Sequence, residues 1–154
     1  HMNTDVDGND NGWSGSFMRN TICSKFFNVL PSELKIVITA CTKYTDNVGG
    51  GSNTASNVTA TSDNIWILSE FETFGNRTTA NSYEQNYQQQ YSYYKNGNSK
   101  IKYKHNSINS MCQWYLRSAY ATNASYYYGV NTGGKLDSYQ VNYSLGFAPC
   151  FVIG

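Results

Sequence analysis

Charge is scarce in this chain: Asp, Glu, Lys and Arg together make up 14% of its 154 residues, against an average of about 25%. The 11 basic and 10 acidic residues leave a formal net charge of +1, which excludes recognition of nucleic acid or an anionic membrane by bulk electrostatics. Histidine is almost missing; His105 and the terminal His1 are the two present. With no Ser or Cys motif beside His105, the nucleophile, base and orienting group of a hydrolytic site are not assembled, and no enzyme is expected. Cys23, Cys41, Cys112 and Cys150 contain no CxxC pair, so no zinc and no other cofactor is implied. They read as small buried hydrophobes, with one disulfide left open. No apolar run reaches the length of a signal-peptide core or a membrane span, so this domain is not expected to insert into a membrane.

Aromatic residues, by contrast, reach 16%, and 14 of them are Tyr. With so few charges the surface must be largely uncharged and polar. Ile, Val, Leu and aromatic residues in ordered patterns argue for a folded chain rather than disorder. The length fits one domain with one core, taken as residues 13–154. Residues 1–12 read as a tag remnant followed by a solvated lead-in. Asp5, Asp7 and Asn9 have EF-hand spacing, but Asp10 and Ser16 stand where that loop needs Gly and Glu, so no calcium site is predicted.

Phe17, Met18, Ile22, Phe26, Phe27 and Leu30 recur near helical spacing, with Ser14 or Ser16 as N-cap, and predict a helix ending near Pro31. Pro31 and Glu33 then suit the start of a second, shorter helix. Val37–Tyr44 predicts a strand, Gly49–Asn53 a flexible loop before the next strand, and Ile65–Glu70 a buried central strand. Phe71–Gly75 reads as a turn or helical start. Tyr83, Tyr87, Tyr91 and Tyr94 fit a helix with a packed tyrosine stripe, although the Gln run between them also suits a loop. Lys100, Lys102 and Lys104 alternate with Ile101 and Tyr103 as a strand with one charged face. Such interleaving suits single-stranded nucleic acid, but near-zero net charge favours lysine guarding an edge strand, so no nucleic-acid partner is expected.

From Trp114 to Gly154, apolar and glycine positions alternate with Tyr, Asn, Ser and Thr. Tyr supplies contact area at low entropy cost, and Ser, Gly and Asn supply adaptable hydrogen bonding, the composition of antibody binding loops. Trp114-Tyr115-Leu116-Arg117-Ser118, the Tyr-rich step to Val130-Asn131, Gly133, and the ending Gly146-Phe147-Ala148-Pro149-Cys150-Phe151-Val152-Ile153 carry a resemblance. Ser16-Phe17-Met18-Arg19, Leu30-Pro31-Ser32-Glu33-Leu34-Lys35, Gly49-Gly50-Gly51 and Leu68-Ser69-Glu70-Phe71-Glu72 extend it over nearly the whole chain. The chain resembles a domain family of unknown function, common in gut bacteria and their prophages, with a Trp-Trp-Leu-Arg-Ser motif and a Gly-Val-Ala-Pro-Gly-Phe-type ending. Tyr115 and Cys150 depart from that pattern without upsetting a fold.

The resemblance implies an α+β, C-type-lectin-like fold: two helices flanking a small twisted antiparallel sheet, with a long irregular C-terminal binding segment, here 114–154. Calcium-lectin Glu-Pro-Asn and Gln-Pro-Asp motifs are absent, so metal-free binding is expected. The resemblance also reaches the variable proteins of diversity-generating retroelements, in which reverse transcription randomises adenines of Asn codons. Such codons cannot yield Glu, Gln, Lys, Met or Trp, and between Ala119 and Leu145 only Lys135 and Gln140 fall in that set.

Trp114, Leu116, Val130, Val141, Phe147, Phe151 and Ile153 are expected to pack, and Arg117 to tie loop carbonyls or Glu70. The expected ligand contacts are Tyr120, Thr122, Asn123, Ser125, Tyr127, Asn131, Lys135, Asp137, Ser138, Tyr139, Asn142, Tyr143 and Ser144. Tyr120, Tyr127, Tyr139 and Tyr143 should dominate, at about 1–3 kcal/mol each. Which of Tyr126, Tyr127 and Tyr128 face outward depends on register. The partner expected is a protein or glycan on a host or neighbouring cell surface, met by a phage particle or cell-surface protein. The alternative is an invariant assembly domain of a virion or surface protein.

Overall fold

The structure is a computed structural model that describes residues 1–4 and 8–154, so Asp5 and Asp7 lie outside the described residues. The N-terminal helix comes in pieces. α1 (Gly12–Gly15) leads to a π-helical stretch, Met18–Cys23, which α2 (Ser24–Val29) continues. The Ser16 hydroxyl accepts the Arg19 backbone N–H at 3.1 Å, as an N-cap does. The π turn's i→i+5 pattern sets Met18 and Cys23 on one side. Both pack with Ile22, Phe26, Phe27 and Leu30 in one core. α3 (Ser32–Lys35) follows Pro31 with Glu33 in its first turn.

β1 (Ile38–Thr39) pairs antiparallel with the last strand, β9 (Val152–Ile153). β2 (Cys41–Asp46) and β3 (Val58–Asp63) form a hairpin across the glycine loop. α4 (Glu70–Phe74) starts on a capping box: Ser69 Oγ accepts the Glu72 N–H, and the Glu72 carboxylate accepts the Ser69 N–H, each at 3.0 Å. After α5 (Ser92–Lys95), β4 (Lys102–Lys104) pairs with β5 (Ser107–Cys112). β6 (Trp114–Ala119), β7 (Tyr126–Val130) and β8 (Leu136–Gln140) then make a three-stranded antiparallel sheet in that order. The architecture is α+β with small antiparallel sheets.

The β6–β7–β8 sheet lies between two apolar clusters, and every residue of β6 is buried. Trp13, Met18, Trp66, Tyr115, Tyr127 and Tyr139 pack in one cluster, and Leu68, Tyr94, Trp114, Leu116, Tyr128 and Val130 in the other. Truncating an indole such as Trp114 to Ala would cost about 3–5 kcal/mol.

Several expectations need correction. Among the described residues of the 1–12 lead-in, Met2, Asn3, Gly8, Asn9 and Gly12 are buried rather than solvated, and the Met2 and Asn3 N–H groups donate to the Val141 carbonyl at 2.9 and 3.0 Å. Residues 1–4 and 8–12 therefore belong with the domain drawn at 13–154. Ile65–Leu68 is buried as expected but forms no ladder. It makes one bridge, Trp66 to Cys150, because the Ser69 capping box draws the following residues into α4. The tyrosine stripe is broken into a 3₁₀ helix, Ser82–Asn86, a loop, and α5. Tyr94 is buried, while Tyr83, Tyr87 and Tyr91 are exposed. Ile153 is exposed at the β1–β9 edge, and the four cysteines are free thiols.

Candidate functional site

The pleat of β7 sorts the expected contact tyrosines. Tyr127 stands opposite both Ala119 and Tyr139, so the two rings share one face with Tyr115, whose ring meets Tyr139 edge-on at 6.4 Å. Tyr127 is fully buried and its hydroxyl donates to the Gly12 carbonyl at 2.7 Å; burial pushes its phenol far above the ordinary range. Tyr139 is buried as well, its phenol pushed up to about 12 by burial. Both were expected at the ligand and instead hold the core. Alternation sends Tyr128 to the other face, where it is buried against Tyr120, stacked at 5.1 Å.

The remaining contacts divide by position. The β6–β7 connection exposes Thr122 and Asn123, with Tyr120 and Ser125 half-buried. Beside it, past the end of β8, Asn142, Tyr143 and Ser144 are exposed, and the Val141 N–H donates to the Ser125 carbonyl at 3.1 Å. Asn131 and Lys135 belong to the β7–β8 turn at the opposite end of the sheet, about 14 Å away along a five-residue strand. Asn131 is a turn former rather than a free contact: its Oδ1 accepts the Gly133 and Lys135 N–H groups at 2.9 and 3.0 Å. Asp137 is exposed and Ser138 half-buried on β8, the sheet's edge strand. The thirteen expected residues thus do not form one surface. Exposed Thr122, Asn123 and Asn142, with half-buried Ser125, are what the fold gathers at one end; exposed Tyr143 and Ser144 continue from there along the sheet toward Gly146, which bridges Trp114 at the other end.

That end is held by Asn9, which the sequence offers only as part of an incomplete EF-hand spacing. Asn9 Nδ2 points at three carbonyls of the β6–β7 connection: Tyr126 at 2.7 Å, Asn123 at 3.2 Å and Tyr120 at 3.3 Å. Its Oδ1 accepts the Gly50 N–H at 2.8 Å, and its own N–H donates to the Ala124 carbonyl. The glycine loop must come close for this. Gly49 has φ 66°, and a Cβ there would stand 1.9 Å from the Asn9 carbonyl oxygen. Each contact from Asn9 to the connection is to backbone, so the clamp is indifferent to which side chains the loop carries.

Behind the sheet lies a buried polar cluster. Arg117 is fully buried; its guanidinium donates to both oxygens of Glu72 at 2.5 and 2.9 Å, to the Ile67 carbonyl at 2.9 Å and to Thr45 Oγ1 at 2.7 Å. The structural role expected of Arg117 is seen, with Glu72 rather than Glu70 as its partner. Burial raises the Glu72 carboxyl, but Arg117 outweighs it and holds the group below the usual range. Glu70 points elsewhere and accepts the Thr78 N–H at 2.6 Å, and burial pushes its carboxyl up. Glu84 accepts the Asp46 N–H at 2.9 Å and the Ser118 hydroxyl at 2.8 Å, and burial pushes its carboxyl up to about 7. Nothing in the sequence around Glu84, Asp46 or Lys43 marked them; the sole signal was Arg117 inside an apolar strand.

Between the β4–β5 hairpin and the 144–147 segment lies a hollow of about 590 Å³, bordered by Tyr103, His105, Met111, Thr132, Ser144 and Phe147. Among the described residues no three His, Cys, Asp or Glu side chains gather as a metal-binding group. No helix of the described residues is long and apolar enough to cross a membrane. In comparisons with known proteins, a family model described as "Domain of unknown function (DUF6273)" matches residues 2–154. No curated protein and no solved structure matches.

Proposed function

The chain belongs to the DUF6273 family of domains of unknown function, and we propose, from its own residues, that it is a non-catalytic ligand-recognition domain. In this reading the scaffold is C-type-lectin-like and the chain is the variable protein of a diversity-generating retroelement. It meets a protein or glycan on a host or neighbouring cell surface, as part of a phage particle or a cell-surface protein. The contact surface is the exposed group Thr122, Asn123, Asn142, Tyr143 and Ser144, with Ser125 at its edge. One observation carries the reading: Asn9 fixes the β6–β7 connection through its carbonyls alone. A loop held that way keeps its shape when its side chains change, which a surface under targeted variation requires.

The test is a library in which codons 122, 123, 142, 143 and 144 are randomised. Most members should keep the parental melting temperature, since exposed positions away from special features shift stability by roughly 0.5 kcal/mol or less; position 123 is the exception, because Asn123 Oδ1 accepts the Ser125 N–H at 2.9 Å. Capture of host-surface proteins or glycans should differ between members. The reading fails if most members unfold, or if the gene's neighbourhood holds no near-identical template repeat and no reverse transcriptase gene. Solution mass separates it from assembly: a stable oligomer that buries residues 119–145 would favour a virion or surface-coat role.

A further inference from the structure

A second concavity, of about 370 Å³, opens on the chain between β2 and the glutamine loop, at the low end of the roughly 300–1,000 Å³ of small-molecule sites. It owes nothing to the 122–144 surface. Tyr44 and Tyr87 line it as a stacked pair, rings 4.6 Å apart and 15° from parallel, and Tyr91 also borders it. Thr42, Gln89, Ser92 and Lys95 are exposed along it.

Its deep part is electrostatically unbalanced. Lys43 is held at 12% side-chain exposure, its ammonium 3.6 Å from Glu72, 3.0 Å from the Tyr91 hydroxyl and 4.1 Å from the Trp66 ring centroid. Glu72 is already the bidentate acceptor of Arg117. Among the described residues no other carboxylate lies within ion-pair distance of either cation. Two desolvated cations therefore share one carboxylate. The nearby Glu84 supplies only part of a charge near neutral pH, because burial pushes its carboxyl up to about 7. Taking a cation out of water without a full counter-charge is costly, and the open side of the concavity is where a counter-charge can enter.

We propose that this concavity binds an acidic sugar, its carboxylate set against Lys43 with Lys95 beside it, and its ring laid along the Tyr87 and Tyr91 side chains. The sugar class follows from the rim. A flat apolar acid would satisfy the lysines but cover Thr42, Gln89 and Ser92 without replacing the water they bond, whereas ring hydroxyls can take that water's place on these exposed hydroxyl and amide groups. An acidic peptide offers the carboxylate without a ring of hydroxyls for these groups.

The experiment is calorimetric titration of the full chain with glucuronate, galacturonate and N-acetylneuraminate, beside glucose, acetate and a Glu-containing tripeptide. At least one acidic sugar should saturate, with glucose and acetate at least tenfold weaker. Lys43→Met, which keeps the aliphatic stem, and Tyr87→Ala, at an exposed position, should each weaken binding at least tenfold. If Lys43→Met fails to fold, Lys95→Gln and Tyr87→Ala carry the test. No saturation by any of the three acidic sugars, tripeptide binding as tight as theirs, or saturation indifferent to the substitutions overturns the proposal. Randomising residues 122, 123, 142, 143 and 144 alone should leave this binding unchanged, which separates its outcome from that of the recognition surface.

Discussion

Asn9→Ala is the sharpest test of how the recognition end is built. Asn9 is fully buried, and its amide nitrogen has two protons facing three carbonyls at 2.7, 3.2 and 3.3 Å. Two bonds are therefore shared among three acceptors. Removing the amide also leaves the Gly50 N–H without its 2.8 Å acceptor. Each buried polar group left unpaired costs about 1–3 kcal/mol, with part-buried groups recovering some of it from water. One strong acceptor and one donor lost, with the weaker two partly rehydrated, gives about 3 kcal/mol. For a domain of this size that is a fall of about 6–12 °C in melting temperature. Asn9→Asp should be worse than Ala despite its matching shape, since it sets a carboxylate oxygen where the three carbonyls need a donor. Urea denaturation gives the free energies, and hydrogen exchange at Gly50 and Ser125 should speed up in both variants. A loss below about 0.5 kcal/mol for Asn9→Ala, the range of ordinary surface changes, would refute the clamp and with it the explanation of loop tolerance.

Arg117→Ala should lose about 3–5 kcal/mol in the same assay, since it strands a buried carboxylate, and adding Glu72→Gln should recover part of that loss. Tyr127→Phe should cost about 1–3 kcal/mol by orphaning the Gly12 carbonyl. Tyr143→Ala, at an exposed position, should leave stability within about 0.5 kcal/mol while reducing ligand capture. Glu84 gives a pH signature. Its carboxyl is raised from 4.5 to about 7 by burial, so the stability it contributes is fully present below about pH 4.5 and is lost as pH rises towards 7 and beyond. Melting temperature followed from pH 4.5 to 8 should therefore slope downward more steeply in the parent than in Glu84→Gln; equal slopes would contradict the assignment.

The helix capped at Ser14 or Ser16, the two strands separated by the glycine loop and the structural Arg117 are legible because each rests on local pattern, whereas the α+β class came with the family resemblance. Of the partners expected for Arg117, a loop carbonyl is met at Ile67, but the carboxylate is Glu72 rather than Glu70, for a geometric reason. On a strand Glu70 and Glu72 would share a face, but the Ser69 capping box places them on a helix, where residues two apart diverge. The burial of Tyr127 is hidden because three consecutive tyrosines satisfy either register, and that of Tyr139 because it follows from standing opposite Tyr127. The cross-strand pairing that decides it is long-range. The clamping role of Asn9, which its sequence spacing associates only with an EF-hand, is hidden for the same reason, since its loop partners lie 111 to 117 residues away in the chain. The tyrosine stripe had a true period, yet no continuous helix formed to use it.

The pairing of early and late segments constrains how this chain can come into being. Met2 and Asn3 bond to Val141, Asn9 to residues 120–126, and β1 to β9. During synthesis the first helix must therefore wait, with Met2 and Asn3 lacking their Val141 partner, until residue 141 has emerged. Contacts of such long sequence separation slow folding, and they make it a single late event. A nascent chain arrested before residue 141 should remain protease-sensitive along its whole length, with no native N-terminal half to protect.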